Sequence, residues 1–217
     1  MEITHLGHSC VLIEVADQRI LIDPGTFSDV AGQRDLTAVL VTHRHPDHVD
    51  PETLPGLLAD NPDAQVWFDA GTVEPLAEAH GGRARPLTSG EPVRLGGVTV
   101  TPVGEQHALI HEYTPRITNT GLVVSAEGEP TVFHPGDALD AEPGPVDILC
   151  VPVNAPWAKI AETIAFVRRI APQRVVPIHD GLLNHRGRGI YLPHIAANGA
   201  EGGIEVLDLR GRGRTTV

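Results

Sequence analysis

Glycine and proline interrupt this chain so often that no long regular element can form. Its 217 residues hold 23 Gly and 19 Pro, and a Gly or Pro inside a periodic run ends or bends it. The fold must therefore be assembled from short elements joined by tight turns. Hydrophobic residues are 41% and charged residues 20% of the chain, enough apolar material for a core and too much for disorder. Aromatics are only 4%, so Val, Ile, Leu and Ala must fill that core.

The periodicity supports this. Cys10–Val15 and Arg19–Ile22 read as a hairpin around Ala16-Asp17-Gln18, closed by the turn Asp23-Pro24-Gly25. Leu36–Thr42 is an apolar run rich in β-branched residues that stops at His43. Pro51–Asp60, with Asp50 as N-cap, and Thr72–His80, closed by Gly81-Gly82, read as helices around a strand at Gln65–Phe68. Further strands are expected at Pro92–Leu95, Val98–Val103, Thr120–Ser125, Thr131–His134, Val146–Val151 and Arg174–Ile178. Ala158–Ile170 is the clearest helix, with Ile160, Ile164, Val167 and Ile170 on one face. After Gly199 one strand is expected, at Ile204–Leu207. Strand runs relieved by helices, with no dividing linker, predict a layered α/β sandwich with residues 1–217 as one domain.

Composition excludes several function classes. Sixteen basic against 28 acidic residues give a formal charge of -12, which argues against a nucleic-acid face and leaves room for a small, even anionic, substrate at a positive metal centre. No run has the ~18 apolar residues of a membrane span, and Met1–Cys10 has no basic or apolar leader pattern. These features predict a cytoplasmic protein. Cys10 and Cys150 both lie in apolar runs and read as buried thiols in a reducing compartment. There is no G-x-S-x-G, G-x-G-x-x-G or phosphate loop.

The chemistry concentrates in Thr42-His43-Arg44-His45-Pro46-Asp47-His48, where four potential metal ligands directly follow a strand. Imidazoles and a carboxylate suit a borderline divalent ion, zinc first, with manganese or iron as alternatives. Partners recur downstream at the ends of expected strands: His107, then Asp137 in His134-Pro135-Gly136-Asp137, then His179 after Pro177-Ile178. The C-terminal ends of strands are where ligand sites of α/β sheets gather. His111, four residues beyond His107, is a competing donor.

The ordered set Asp23, His43/His45/Asp47/His48, His107, Gly136-Asp137 and His179 resembles the motifs of the metallo-β-lactamase-fold superfamily of metal-dependent hydrolases. The opening His5-Leu6-Gly7-His8-Ser9, with Ile22-Asp23-Pro24, is similar to its L-ascorbate-6-phosphate lactonase-like branch. The resemblance implies a four-layer αββα sandwich and two divalent ions. It assigns His43, His45 and His107 to one ion, and Asp47, His48 and His179 to the other, with Asp137 between them. Asp23 would orient ligands by hydrogen bonding, and His8 and His134 are further candidates for that role. A hydroxide bridging the ions would then cleave an ester, lactone or phosphoester of a small molecule. Asp47 is expected to guide a proton to the leaving group, and Asp47 and Asp137 are the expected catalytic carboxylates.

The irregular stretch Gly104–Thr118 reads as a lid candidate in which His111, Tyr113 and Arg116 meet the substrate. Trp157 is expected to pack into the core at a helix start. Two other readings compete: a nuclease or phosphodiesterase of the same fold, and a non-catalytic metal-binding protein. A chain without a long lid of its own also suggests a homo-oligomer that completes its pocket with a neighbour.

Overall fold

The computed structural model describes residues 1–217 and places them in two seven-stranded sheets. The first sheet contains β1 (Glu2–Gly7), β2 (Cys10–Val15), β3 (Gln18–Ile22), β4 (Ala38–Val41), then helix α1 (Leu54–Asp60), β5 (Gln65–Asp69), helices α2 (Ala70–Val73) and α3 (Ala77–His80), and β6 (Arg85–Leu87). The second contains β7 (Val93–Leu95), β8 (Val98–Val103), β9 (Gly121–Ala126), β10 (Val132–His134), β11 (Ile148–Pro152), helix α4 (Ile160–Ile170), β12 (Arg174–Ile178), helix α5 (His185–Asn198) and β13 (Glu205–Val206). A last strand, β14 (Thr215–Thr216), returns to the first sheet and pairs with β1. The strand orders are β14-β1-β2-β3-β4-β5-β6 and β13-β12-β11-β10-β9-β8-β7.

Period-two alternation sorts each strand between two cores. Val11 and Ile13 of β2, Ala38 and Leu40 of β4, Ile148 and Cys150 of β11, and Val176 and Ile178 of β12 meet between the sheets. The intervening Leu12, Val39 and Val41 face outward onto Leu54, Leu57 and Leu58 of α1. On the other side Leu149, Val151 and Val175 pack against Phe166 and Val167 of α4 and Ile195 of α5. The layers are therefore helix, sheet, sheet, helix, as the resemblance implies. No helix is long and apolar enough to cross a membrane.

Several expected elements shift for local reasons. The helix expected at Pro51–Asp60 starts at Leu54, because Asp50 is used earlier, its carboxylate accepting from Glu52 N at 2.9 Å and Thr53 Oγ1 at 2.8 Å in a preceding turn. The helix expected at Thr72–His80 is two short pieces broken around Pro75, which lacks the N–H a continuous helix would use. Helix α4 begins at Ile160 rather than Ala158, since Lys159 is extended, and it buries Thr163, Phe166 and Val167 rather than the full isoleucine face. Strands β1, β6 and β14 and helix α5 have no counterpart in the sequence reading. Gly187, Gly189 and Pro193 hide α5; its first turn is held by Asn184, whose Oδ1 accepts from Arg186 N and Gly187 N. Arg188 of α5 and Arg210 of the tail then converge on the buried carboxylate of Asp180, one residue beyond β12's loop residue His179.

The turn after β3 sets the position of the histidine-rich loop. Gly25 lies so close to that loop that a Cβ there would sit 1.9 Å from the Asp47 carbonyl oxygen and 2.5 Å from His48 N. Backbone, not a flexible side chain, blocks the space, so the loop itself would have to move. Gly25→Ala is expected to destabilise the chain by about 1–3 kcal/mol in urea unfolding and to weaken metal uptake; an unchanged midpoint would show that the loop yields freely.

Candidate metal centre

All the candidate ligands sit at one edge of the sandwich, beyond the ends of strands. His43 follows β4 through Thr42, Asp137 follows β10 and His179 follows β12, while His107 lies in the loop after β8. His8 comes from the β1–β2 turn, which ends at the same edge. Two groups of ligand atoms, each within 4.8 Å of one another, result: His43, His45, His107 and Asp137, and His8, Asp47, His48 and His179. Asp137 reaches both. Its Oδ2 lies 3.9 Å from His43 Nε2, 3.3 Å from His107 Nε2 and 3.1 Å from His179 Nε2, and its Oδ1 lies 3.0 Å from His48 Nε2. Three non-glycine residues here, His8, Asp23 and His179, hold left-handed backbone with φ of 52°, 52° and 57°. Such conformations cluster where surroundings impose geometry for function.

Hydrogen bonds behind the rings decide which nitrogens can bind a cation. A neutral imidazole has one N–H and one lone pair, and fixing one nitrogen fixes the other. His48 Nδ1 faces Asp23 Oδ2 at 2.6 Å, His107 Nδ1 faces the Ala108 carbonyl at 2.7 Å, and His179 Nδ1 faces the Asn154 carbonyl at 2.6 Å. His43 Nδ1 lies 3.1 Å from Thr42 Oγ1, whose own proton goes to Asp23 Oδ2 at 2.7 Å. Each of these four rings therefore donates outward from Nδ1 and turns an Nε2 lone pair into the centre. His45 differs and presents Nδ1, 3.1 Å from His43 Nε2.

His8 has the opposite tautomer. The Gly181 N–H donates to His8 Nδ1 at 3.0 Å, so the proton sits on Nε2, which donates to Asp47 Oδ2 at 3.1 Å. Gly181 is required for this approach, because a Cβ there would meet His8 Nδ1 at 2.9 Å. His8 thus offers a proton where its neighbours offer lone pairs. His134 is also turned to its surroundings: Nδ1 accepts from Gly136 N at 3.2 Å and Nε2 donates to the Ser9 carbonyl at 2.9 Å. The buried carboxylate of Asp23 accepts from Thr42 N and Thr42 Oγ1 as well as His48, which makes it the hinge of the histidine loop.

The residues present fit divalent cations. His107 Nε2 and Asp137 Oδ1 are buried and make no well-aligned hydrogen bond, their polar neighbours being only other members of the converging set. Native proteins seldom leave such groups unpaired, and a cation is the partner that imidazole lone pairs and a carboxylate lack. The charges agree. Burial alone would lower the pKa of His48, but the Asp137 and Asp23 carboxylates outweigh it and hold the ring well above 6.5. Burial would raise Asp137, yet His48 and His179 keep it well below the usual range. Asp47 is likewise held down, to about 2, because the His8 hydrogen bond and the His48 charge overcome its burial. Burial and the neighbouring His48 push His43 well below 6.5.

The expected substrate-binding residues His111 and Arg116 lie apart from this cluster. His111 is exposed on the loop after His107, its Nδ1 accepting from Tyr113 N at 3.3 Å. Arg116 donates from Nε to the His107 carbonyl and pairs with Asp140 at 3.4 Å. Trp157, expected in the core, instead donates from Nε1 to Asp137 Oδ2 at 3.1 Å. Nothing in its local sequence signals this contact, which the fold brings across 20 positions.

Residues 2–179 match the β-lactamase superfamily domain. The chain is 44% identical over 193 residues to protein Rv0786c of Mycobacterium tuberculosis, spanning 88% of this chain and 89% of that one. It is 31% identical over 210 residues to a UPF0173 metal-dependent hydrolase of Methylobacterium nodulans, spanning 83% and 85%. Among solved structures, Igni18, a metallo hydrolase from the archaeon Ignicoccus hospitalis, superposes with a TM-score of 0.72 at 18% identity over 100% of this chain and 98% of that chain, a likeness of fold.

The titrating groups predict a stability profile for chelator-treated protein. His5, His8, His43, His45 and His134 have pKa values lowered by burial, so stability rises with pH until they are neutral in the unfolded chain as well, near 6.5. His48 has the opposite sign: its contribution is complete below 6.5 and is lost as pH rises through its elevated value. The Tm of ion-free protein should therefore peak near pH 6.5 and decline on the alkaline side, and divalent ions should abolish the decline up to about pH 8, below the range in which unfolded thiols ionise, by replacing the His48 proton. A Tm that keeps climbing to pH 9 without ions would refute this account.

Proposed function

The chain belongs to the metal-dependent hydrolases of the β-lactamase superfamily, and we propose that it cleaves an ester, lactone or phosphoester bond of a small molecule with two divalent ions, zinc foremost. One observation carries the reading: four imidazoles anchored from behind turn their Nε2 lone pairs toward one carboxylate, Asp137. His43, His45 and His107 would hold one ion, Asp47, His48 and His179 the other, and Asp137 both. Three-nitrogen and mixed nitrogen–carboxylate sets suit zinc, with manganese or iron as substitutes. When bound, the ions supply a water whose pKa falls from 15.7 toward ~7 and polarise the oxygen of the bond to be cut.

The chain's own residues supply the rest. Asp23 fixes the ring of His48 through Nδ1 and, with Thr42, the ring of His43. Loss of such supports lowers metal affinity 10–100-fold. His8 donates to Asp47 Oδ2, which keeps that carboxylate ionised and oriented. An ionised Asp47 can hold the proton given up by the nucleophilic water and release it to the leaving oxygen. Buried free thiols at Cys10 and Cys150, the latter pushed up to about 12 by burial, fit a reducing cytoplasm. The formal charge of -12 favours a small-molecule substrate over nucleic acid. The lactonase-like opening motif keeps lactones among the candidates.

Elemental analysis of protein purified without chelator or histidine tag should find about two ions per chain, falling to about one in His179→Ala. Asp47→Asn should depress kcat by 10²–10⁴-fold, far more than it depresses metal content. Near-zero metal that added ions do not restore would end the hydrolase reading. Separately, Asp23→Ala should weaken ion binding 10–100-fold in calorimetric titration, most at the ion held by His48, while the chain stays folded.

A further inference from the structure

Three loops that deliver residues to the metal centre also wall a cleft beside it. Ala108, Leu109 and Ile110 follow His107, Leu139 follows Asp137 by two residues, and Trp157 lies ahead of α4, whose Phe166 also lines the space. The volume is about 740 Å³, within the range of small-molecule pockets. Leu109 and Ile110 are 58% and 39% exposed, an apolar surface with nothing of this chain upon it. Trp157 joins the cleft to the chemistry. Its indole N–H binds Asp137 Oδ2, and its ring stands edge-on to His107 at 5.9 Å and His179 at 6.2 Å. A molecule packed on this indole is thus in contact with a side chain that touches the central carboxylate.

The two arginines beside the cleft are engaged, and its lysine stands exposed next to an acid. Arg116 is bound to the His107 carbonyl and Asp140, and Arg169 to the Leu139 and Ala141 carbonyls and Glu142. Lys159, the only lysine of the chain, lies 3.7 Å from Glu162. A phosphate or sulfate arm would face the carboxylates of Asp140 and Glu162 as well as these cations, whereas an alkyl or aryl arm would cover Leu109, Ile110 and Trp157 without that repulsion.

We propose that this cleft is an acyl subsite: it takes the uncharged alkyl or aryl arm of a carboxylic ester or lactone whose carbonyl lies at the metal centre. The proposal rests on the hydrolase reading above and narrows its substrate class. In the reaction the oxygen of water bonds to the carbonyl carbon and the bond from that carbon to the alkoxy oxygen breaks. One proton of the water goes to the departing alkoxide, so acid and alcohol are the products and no other reactant is needed. Trp157 determines specificity here, as the surface on which the arm lies.

The test uses the zinc-loaded full chain with p-nitrophenyl acetate, butanoate, hexanoate and octanoate. The value of kcat/KM should rise about fourfold per added methylene until the cleft is full. Ala165→Phe, on the exposed face of α4 that lines the cleft and away from the ligands, should abolish that rise. A second readout is independent of turnover. Trp67→Phe leaves Trp157 as the one indole, and neutral octanamide should quench or shift its fluorescence saturably even in ion-free protein, but not with Ala165→Phe added. A flat chain-length profile, faster p-nitrophenyl phosphate hydrolysis than octanoate hydrolysis, or no effect of octanamide would each overturn the acyl subsite. A dimer in sedimentation that Ile110→Asp dissociates, with no chain-length effect, would give the cleft to a second copy and overturn it as well. Saturable octanamide binding with no ester hydrolysed would instead keep the apolar subsite and overturn the ester reaction.

Discussion

Imidazoles can crowd together with lone pairs inward only if every outward N–H has a fixed acceptor. That requirement organises the whole edge of this sandwich. The acceptors come from different parts of the chain: the Asp23 carboxylate after β3, Thr42 after β4, the Ala108 carbonyl in the loop after β8, and the Asn154 carbonyl after β11. Neither sheet alone holds the full set, so the packing between the sheets is what makes the centre. The apolar residues that join the sheets are therefore as necessary to the chemistry as the ligands. The same requirement explains why His8 stands apart, because Gly181 claims its Nδ1 and obliges Nε2 to donate.

Without ions the cluster balances itself with protons. His48 is drawn toward its charged form by two carboxylates, while His43 is kept neutral by burial. The strained backbone at His8, Asp23 and His179 costs roughly 1–3 kcal/mol per residue and must be offset by the surrounding core. Such an arrangement trades stability for a binding geometry that exists before the ions do.

The sequence made the local parts of this picture legible. His43, His45, Asp47 and His48 share one short loop, and His107, Asp137 and His179 each follow a recognisable apolar run. Asp23 was readable as a support through its turn and its place in the motif order. Features made by distant contacts were not legible. The tautomer of His8 depends on an amide 173 positions away, and the contact of Trp157 with Asp137 depends on two loops meeting. Helix α5 was hidden because Gly187, Gly189 and Pro193 oppose helix locally, while its support comes from the Asn184 cap, buried Ile195 and the Arg188–Asp180 pair. The break at Pro75 was readable in principle, and the apolar spacing of Thr72–His80 masked it.

The spread of the candidate ligands along the chain has a consequence for where an ion can be held. In small zinc domains, ligands close in sequence let the metal lead folding. Here the ligands run from His43 to His179 and come from both sheets, so the full set converges only when the sheets have packed. A complete cage therefore belongs to the packed sandwich, and the loop that carries His43, His45, Asp47 and His48 offers only part of it. An ion that binds the complete cage more tightly than that loop stabilises the folded chain in proportion to the difference.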